Sequence, residues 1–160
     1  VIHRNICPES ILITKRGSWK LAGFDFCVSA QNPNDQENYF PCHYEWDPRI
    51  PPLPLQPNLD YLAPEYVTSS TCTVGSASDM FSLGCLIYAI YNGGKPLIDA
   101  NNNDEYKSNY NKYMNTLNSL THESMNNLPP ENLKESLKRM LSMDPTVRPT
   151  AQELTLIKYF

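Results

Sequence analysis

The sequence predicts a mainly α-helical domain with one short β-hairpin and one long irregular segment. Between residues 80 and 90, apolar side chains occupy nearly every position, which is typical of a helix that is buried on all sides. Two short β-prone runs, Ile11-Leu12-Ile13 and Trp19-Lys20-Leu21, lie on either side of a turn-forming spacer and predict the hairpin. Residues 26–58 have no helical or strand period and are rich in Asn, Gln, Asp and Pro, so we expect them to be irregular.

The buried helix has sequence signals at both of its ends. Ser76 or Ser78 is expected to cap its first turn, and Gly93-Gly94 is expected to end it. After it, aromatic and aliphatic side chains recur at intervals of three and four residues. That spacing predicts an amphipathic surface helix at residues 104–121.

Two more helices are predicted towards the end of the chain. The first is marked by four apolar positions at helical spacing, Leu133, Leu137, Met140 and Leu141. The second begins at Thr150, because Glu153 follows three residues later and completes a capping-box pattern.

The composition excludes several classes of function. The chain of 160 residues fits one domain and carries a net charge of −4, with no basic run that could bind nucleic acid. The longest uncharged apolar stretch, residues 83–91, is too short to be a transmembrane segment. The five cysteines are scattered and form no Cys-x-x-Cys pair, so we expect reduced thiols and no zinc site.

The most specific motifs lie near the start of the chain. Residues 1–12 read Val-Ile-His-Arg-Asn-Ile-Cys-Pro-Glu-Ser-Ile-Leu, and residues 20–25 read Lys-Leu-Ala-Gly-Phe-Asp. They resemble the catalytic loop and the metal-binding loop of protein kinases, which read roughly His-Arg-Asp-Leu-Lys-Pro-Glu-Asn-Ile-Leu and Asp-Phe-Gly. Farther along, Ala63-Pro64-Glu65 resembles the motif that closes a kinase activation segment. The pattern Asp144-Pro145 followed by Arg148-Pro149-Thr150 is typical of the end of a kinase domain.

This resemblance implies a fold and its boundaries. Residues 1–160 would form the helical C-terminal lobe of a kinase-like fold, truncated at its N-terminus so that the N-terminal lobe is absent. The hairpin would join the catalytic loop to the metal loop. Residues 26–58 would be a Pro- and Asn-rich insertion within the activation segment.

The resemblance also implies that the positions that perform chemistry have changed. Asn5 stands where the family has its catalytic Asp, Cys7 where it has a Lys, and Ser10 where it has an Asn that holds a magnesium ion. An amide cannot accept a proton from a substrate, and a positioned base typically contributes about 10²–10⁴-fold to the rate. Gly23-Phe24-Asp25 is the metal motif with its two ends exchanged.

Asp25 retains a carboxylate near the position of the lost metal ligand. It lies two residues beyond Gly23, and two residues of extended chain span about 7 Å. Magnesium requires ligands at about 2.0–2.1 Å in near-ideal geometry, so we expect that Asp25 does not replace the lost ligand. The sequence therefore predicts a pseudokinase and not an enzyme, with no functional catalytic residue, no metal site and no cofactor. Binding of ATP and Mg²⁺ is not expected.

A second set of family positions is unchanged, namely those that hold the kinase lobe together: His3, Arg4, Glu65, Asp79 and Arg148. By resemblance, Asp79 accepts hydrogen bonds from the backbone around His3 and Arg4, and Glu65 pairs with Arg148. The contrast between the retained and the altered positions indicates a fold that has been kept for binding.

Among pseudokinases, the chain is similar to the SCY-like family and, within it, to the coated-vesicle-associated branch. The similarity rests on His-Arg-Asn, on the exchanged Gly-Phe-Asp and on the Asn-rich stretch after the buried helix. It implies a scaffold whose partners are proteins of clathrin-dependent and Golgi–endosome trafficking, located in the cytoplasm and peripheral to those membranes. Two alternatives remain open: a weak, atypical ATP-dependent kinase that uses Asp25 and Glu9, and a nucleotide-binding switch without catalysis.

The irregular segment contains a possible partner motif. Prolines at positions 51, 54 and 57 recur every third residue, which is the period of a polyproline II helix. Within this run, Pro51, Pro52, Leu53 and Pro54 resemble the core of a ligand for WW domains. The alternative is a stiff loop packed against its own lobe, in which the prolines lower the entropy lost on folding.

Overall fold

The computed structural model of the chain describes residues 1–29, 57–68, 75–98 and 130–156. Their strands and helices, in chain order, are β1 (Ile11–Ile13), β2 (Trp19–Leu21), α1 (Glu65–Thr68), α2 (Ser76–Tyr91), α3 (Glu131–Met140) and α4 (Ala151–Thr155). Single 3₁₀ turns occur at Pro8–Ser10, Phe24–Phe26, Leu59–Tyr61 and Pro145–Val147. The expectation of a mainly helical fold with one short hairpin is confirmed in these residues.

The hairpin has the strand boundaries that the sequence predicts. Strands β1 and β2 pair antiparallel, with Leu12 opposite Lys20. Gly17 occupies the turn with a φ of 80°, a left-handed conformation that glycine adopts without a steric penalty. Leu12 and Trp19 are more than half exposed, so the hairpin lies at the edge of the described residues.

Helix α2 lies at the centre of the hydrophobic core. Phe81 and Cys85, one turn apart, are fully buried, and the core cluster extends from them to residues of the loop before β1 and to α3. The helix ends as expected, because the N–H of Gly94 donates to the carbonyl of Ala89 and both Gly93 and Gly94 have positive φ.

The expected cap at the start of α2 is wrong. Gly75 is the N-cap residue, and it offers no side chain. Ser76 already belongs to the helix, and the hydroxyl of Ser78 donates to Oε1 of Glu65 at 2.6 Å. Ser78 is therefore used for a contact between elements rather than for a local cap, which spacing alone does not indicate.

Helices α2 and α3 pack closely, and a glycine makes their approach possible. A Cβ atom placed on Gly84 would lie 3.0 Å from Cβ of Met140 and 3.2 Å from Cδ2 of Leu141. Leu137 and Met140 are fully buried on the facing side of α3. The predicted helix around Leu133 to Leu141 is thus confirmed as α3, with one residue fewer at its end.

The start of the last helix is also confirmed. The hydroxyl of Thr150 accepts a hydrogen bond from the N–H of Glu153, and the Glu153 carboxylate accepts one from the N–H of Thr150. Three other expectations fall outside the described residues: the helix at 104–121, the motif Pro51 to Pro54, and most of the 26–58 insertion. In the part of the chain that the structure covers, no helix is long and apolar enough to cross a membrane.

Candidate functional site

The loop before β1 is anchored to helix α2 by one carboxylate. Oδ2 of Asp79 accepts a hydrogen bond from the N–H of His3 at 2.7 Å, and Oδ1 accepts one from the N–H of Arg4 at 2.8 Å. Arg4 has a φ of 65°, a left-handed conformation that is uncommon for residues other than glycine. The two hydrogen bonds that Asp79 accepts therefore hold the loop in a backbone conformation that it would not otherwise favour.

The ring of His3 connects this loop to the segment that contains the Gly23-Phe24-Asp25 motif. Nε2 of His3 donates to the carbonyl of Ala22 at 2.9 Å, and Nδ1 accepts from the N–H of Asn5 at 3.3 Å. The ring of Phe24 meets the His3 ring edge-on, with centroids 5.0 Å apart. His3 thus fixes the distance between the loop before β1 and the turn Phe24–Phe26, which Gly23 precedes.

Residues 26–28 lie antiparallel to the start of the chain. Ile2 and Val28 exchange two backbone hydrogen bonds of 2.9 and 3.0 Å, and Nε of Arg4 donates to the carbonyl of Phe26. These contacts close the site on one side, since they tie the chain that follows Gly23-Phe24-Asp25 back to the loop before β1.

Asn5, at the position of the family's catalytic Asp, contacts two donors of its own chain. Its Oδ1 accepts a hydrogen bond from the N–H of Asn58 at 2.9 Å and one from the thiol of Cys7 at 3.7 Å. Burial raises the pKa of the Cys7 thiol above its ordinary value, and the nearby Glu9 carboxylate, an alternative acceptor for the single thiol hydrogen, raises it further. The thiol is therefore protonated at neutral pH and serves as a donor.

Ser10, at the position of a family magnesium ligand, is buried and turned inward. Its Oγ donates to the carbonyl of Cys7 at 2.8 Å and accepts from the N–H of the same residue at 3.0 Å. Both bonds close the 3₁₀ turn Pro8–Ser10 on itself. The side chain is used for local structure at the point where the family presents a metal ligand.

Gly23 faces Ser10 across the site. Its φ is 75°, and a Cβ atom placed on it would lie 3.6 Å from Cβ of Ser10. Asp25 is exposed in the turn Phe24–Phe26. Within the described ranges, no group of three or more His, Cys, Asp and Glu side chains could hold a metal ion.

Glu65 and Arg148 form a bidentate ion pair beside the first turn of α2. The two contacts measure 2.7 Å from Nη1 to Oε1 and 2.9 Å from Nη2 to Oε2, and the Arg148 side chain is fully buried. Burial by itself raises the pKa of Glu65, but hydrogen bonds from Arg148 and Ser78 outweigh it and hold that pKa below its ordinary value. The carboxylate is therefore ionised at neutral pH.

The structure brings the sequence-derived positions together in two groups. One group surrounds the loop before β1 and contains the altered family positions together with the retained ones: Asn5, Cys7, Ser10, Gly23 and Asp25, with His3, Arg4 and Asp79. The other group is the Glu65–Arg148 pair. Sequence reasoning missed Asn58, whose side chain also caps the turn Leu59–Tyr61 by accepting from the N–H of Asp60. The Asn-x-Asp spacing could have indicated that cap. Nothing local indicates its contact with Asn5, 53 residues away.

Comparison with known proteins places this arrangement among protein kinases. A family model of the protein kinase domain matches residues 1–160. SCY1-like protein 2 of Homo sapiens is 48% identical over 160 residues, which are 100% of this chain and 17% of that protein. The protein kinase domain-containing protein ppk32 of Schizosaccharomyces pombe is 42% identical over 160 residues, or 100% of this chain and 20% of that protein.

A more distant similarity covers most of the same region. The protein kinase-like protein SCY1 of Saccharomyces cerevisiae is 32% identical over 143 residues, which are 89% of this chain and 17% of that protein. The chain thus spans a fifth or less of the length of these relatives.

Proposed function

This chain belongs to the protein kinase domain family, on its SCY1-like branch, and we propose that it is the C-terminal lobe of a kinase-like domain that binds proteins and does not transfer phosphate. The contacts around Asp79 and the Glu65–Arg148 pair support the lobe assignment, because they are the contacts that the family resemblance implied.

One observation supports the proposed loss of activity, and it concerns positions 10 and 23, where the kinase family has its metal ligands. Gly23 has no side chain, and both the donor and an acceptor site of the Ser10 hydroxyl are engaged by the backbone of Cys7. Kinase catalysis depends on metal ions that bridge the phosphates and neutralise developing charge. Neither position 10 nor position 23 offers a carboxylate, and the nearby carboxylate of Asp25 lies two residues beyond Gly23, in the turn Phe24–Phe26.

A phosphoryl-transfer assay on the intact protein tests this proposal. The protein is incubated with radiolabelled ATP and either Mg²⁺ or Mn²⁺, and incorporation of label is followed over time. We expect no incorporation above that of a heat-denatured sample. The matched variants are Asp25→Asn and Glu9→Gln, which remove the two carboxylates that could act instead. Time-dependent incorporation that either variant abolishes would show that the domain is a kinase.

We further propose that the partners are proteins of clathrin-dependent and Golgi–endosome trafficking, met on the cytoplasmic side of those membranes. The proposal is supported by the similarity of the His-Arg-Asn and Gly-Phe-Asp motifs to the coated-vesicle-associated branch and by the 48% identity to SCY1-like protein 2. Affinity purification of the intact protein from cells is expected to recover clathrin or its adaptors. Recovery of neither, with the tagged protein folded, contradicts this part of the proposal.

A further inference from the structure

The tip of the hairpin combines two cationic side chains with a serine. Lys15 and Arg16 lie three and two residues before Ser18, and Gly17 separates them from it. Serine/threonine kinases that select basic substrates bind cationic side chains at these two positions with carboxylates of their own, so the charges around a serine decide whether it is accepted. The sequence from Lys15 to Ser18 has that charge pattern.

The tip is accessible to another protein. Every residue from Thr14 to Ser18 is exposed, and a Cβ atom placed on Gly17 would meet nothing within 4 Å beyond its chain neighbours. The backbone N–H of Ser18 donates to Oγ1 of Thr14, and its carbonyl accepts from the N–H of Thr14. In the part of the chain that the structure describes, the hydroxyl of Ser18 makes no hydrogen bond, so it is available to an incoming enzyme.

The turn can open without disturbing the core. A kinase binds its substrate in an extended conformation, so the turn from Thr14 to Ser18 has to unfold locally. Three hydrogen bonds of 2.9, 2.9 and 3.0 Å hold it, and all three lie in the exposed tip, where water can replace them. The strands on either side have three residues each, and a two-stranded hairpin is only marginally stable by itself. Local opening therefore requires much less free energy than unfolding of the domain.

Ser142 provides a comparison within the same chain, because Arg139 lies three residues before it. Met140 and Leu141, between these two residues, are buried. The hydroxyl of Ser142 accepts from the N–H of Asp144 at 3.2 Å, and its own N–H donates to the carbonyl of Arg139. An extended conformation at Ser142 would require the end of α3 to leave the core. Of these two serines, only Ser18 therefore presents its basic residues to a kinase in the folded protein.

We propose that Ser18 is a phosphorylation site for a serine/threonine kinase that selects basic substrates. Oγ of Ser18 attacks the γ-phosphorus of the ATP that this kinase holds, and the bond from that phosphorus to the β–γ bridging oxygen breaks. ADP leaves, and the hydroxyl proton passes to the catalytic base of the kinase. The chain is the substrate in this reaction, so the site does not depend on whether the chain itself transfers phosphate.

Phosphorylation changes the charge of the hairpin. Residues 11–21 carry a charge of +3 from Lys15, Arg16 and Lys20 and contain no acidic residue, whereas the whole chain has a net charge of −4. A phosphate on Ser18 adds about −1.5 to −2 charges at neutral pH, so the modified hairpin keeps a charge of about +1. Most of its attraction for an anionic partner is thereby lost.

Phosphorylation of the intact, folded protein by the catalytic subunit of cyclic-AMP-dependent protein kinase, an enzyme of this class, tests the proposal. A protease that cuts after Asp and Glu then releases residues 10–25, with Ser18, and residues 136–144, with Ser142. Mass spectrometry follows the phosphate on each serine. A parallel sample without the added kinase separates any transfer by the chain itself, which would contradict the proposed function and not this site. We expect phosphate on Ser18 and none on Ser142.

Three variants define the requirements of the site. Ser18→Ala should remove the phosphate from residues 10–25. The double variant Lys15→Gln and Arg16→Gln should lower the rate at Ser18 about tenfold or more, as for the loss of a hydrogen bond to a charged group. Lys20→Gln is the matched control, because it removes one charge from the same hairpin on the other side of Ser18. It should change the rate less than about twofold.

Four results would overturn the proposal. A free peptide of residues 10–25 could be phosphorylated while the folded protein is not, which would mean that the turn does not open. Absence of phosphate from both would mean that the kinase does not recognise the sequence. Equal phosphate on Ser18 and Ser142 in the folded protein would make the accessibility of the hairpin irrelevant. An equal loss of rate in Lys20→Gln and in the double variant would assign recognition to overall charge and not to the two positions before Ser18.

Discussion

Arg148 binds both carboxylate oxygens of Glu65, at 2.7 and 2.9 Å, although the two residues are 83 positions apart in the sequence. Such bidentate pairs are stronger and more directional than single charged contacts. Arg148 also donates to the carbonyls of Ala77 and Ser142. The pair therefore joins the start of α1, the first turn of α2 and the loop after α3 in one network.

Loss of either partner is expected to destabilise the domain strongly. Glu65→Ala leaves the fully buried guanidinium of Arg148 without its counter-ion, and Arg148→Ala leaves the carboxylate uncompensated. Each should lower the free energy of unfolding by about 3–5 kcal/mol in urea. The double variant should lose much less than the sum, because the two residues form one unit.

An exposed pair in the same domain provides the control. Arg139 and Glu153 are 3.8 Å apart with side chains 43% and 55% exposed, so Arg139→Ala should cost no more than about 1 kcal/mol. If the costs of Glu65→Ala and Arg148→Ala simply add in the double variant, the two side chains do not act as a pair in solution.

Asp79 is expected to control the conformation of the loop. Asp79→Ala removes both acceptors that hold the N–H groups of His3 and Arg4, whereas Asp79→Asn keeps one acceptor oxygen. Hydrogen bonds to a charged group contribute about 1.5–3 kcal/mol each, so the alanine variant should be the less stable of the two. Trypsin should also cleave after Arg4 faster in Asp79→Ala, because the left-handed backbone at Arg4 is no longer fixed.

The order of the two variants is the critical result. Equal stability of Asp79→Ala and Asp79→Asn, with unchanged cleavage after Arg4, would mean that the loop keeps its conformation without this carboxylate.

Alkaline pH is expected to destabilise the domain through Tyr61. Burial, followed by the negative charges of Glu9 and Asp60, raises the pKa of Tyr61 to about 12. In the unfolded chain the pKa of a tyrosine is about 10, so between these values the folded state holds a proton that the unfolded state has lost. This contribution to stability is complete below about pH 10 and decreases as the pH rises towards 12.

Tyr61→Phe removes the ionisable group and keeps the ring. Its free energy of unfolding should decrease less between pH 10 and 12 than that of the unchanged protein. Some decrease should remain, because burial also raises the pKa of the Cys7 and Cys85 thiols. Parallel pH profiles for the two proteins would contradict a buried Tyr61 hydroxyl.

Local signals accounted for much of the fold that the structure describes. The strands of the hairpin, the glycine end of α2 and the capping box of α4 follow from spacing and residue type within a few positions. The cap at the start of α2 was not predicted correctly, because the hydroxyl of Ser78 donates to Glu65. Here a contact between elements overrides a local preference. The family resemblance supplied the two long-range contacts of Asp79 and Arg148, which periodicity alone does not contain.

From the sequence, the candidate site was predicted as a set of positions that lack the side chains the kinase family has there. The structure adds the contacts that the side chains at these positions make. The substitutions at positions 5, 10 and 23 were evident from the sequence. That Ser10 closes its own turn, and that Asn5 accepts from Asn58, depends on where two distant segments meet. No pattern of nearby residues encodes such a meeting, so physical reasoning on the sequence could not reach it.

The close approach of α2 and α3 depends on the missing side chain of Gly84. Alanine has the better helix propensity, which favours Gly84→Ala by about 0.5–1 kcal/mol. The added methyl group would lie 3.0 Å from Cβ of Met140 and 3.2 Å from Cδ2 of Leu141, and overpacking of this kind costs about 1–3 kcal/mol. The clash is therefore expected to exceed the gain in propensity, so Gly84→Ala should lower the free energy of unfolding.

A second substitution separates the clash from other effects of the mutation. Leu141→Ala removes two of the three closest atoms, Cδ2 and Cγ, and leaves the Met140 contact in place. In that background Gly84→Ala should cost less than in the unchanged protein, which urea unfolding of the four proteins measures as a coupling energy. If Gly84→Ala is stabilising in both backgrounds, helix propensity outweighs packing at this crossing, and the two helices have room for a methyl group between them.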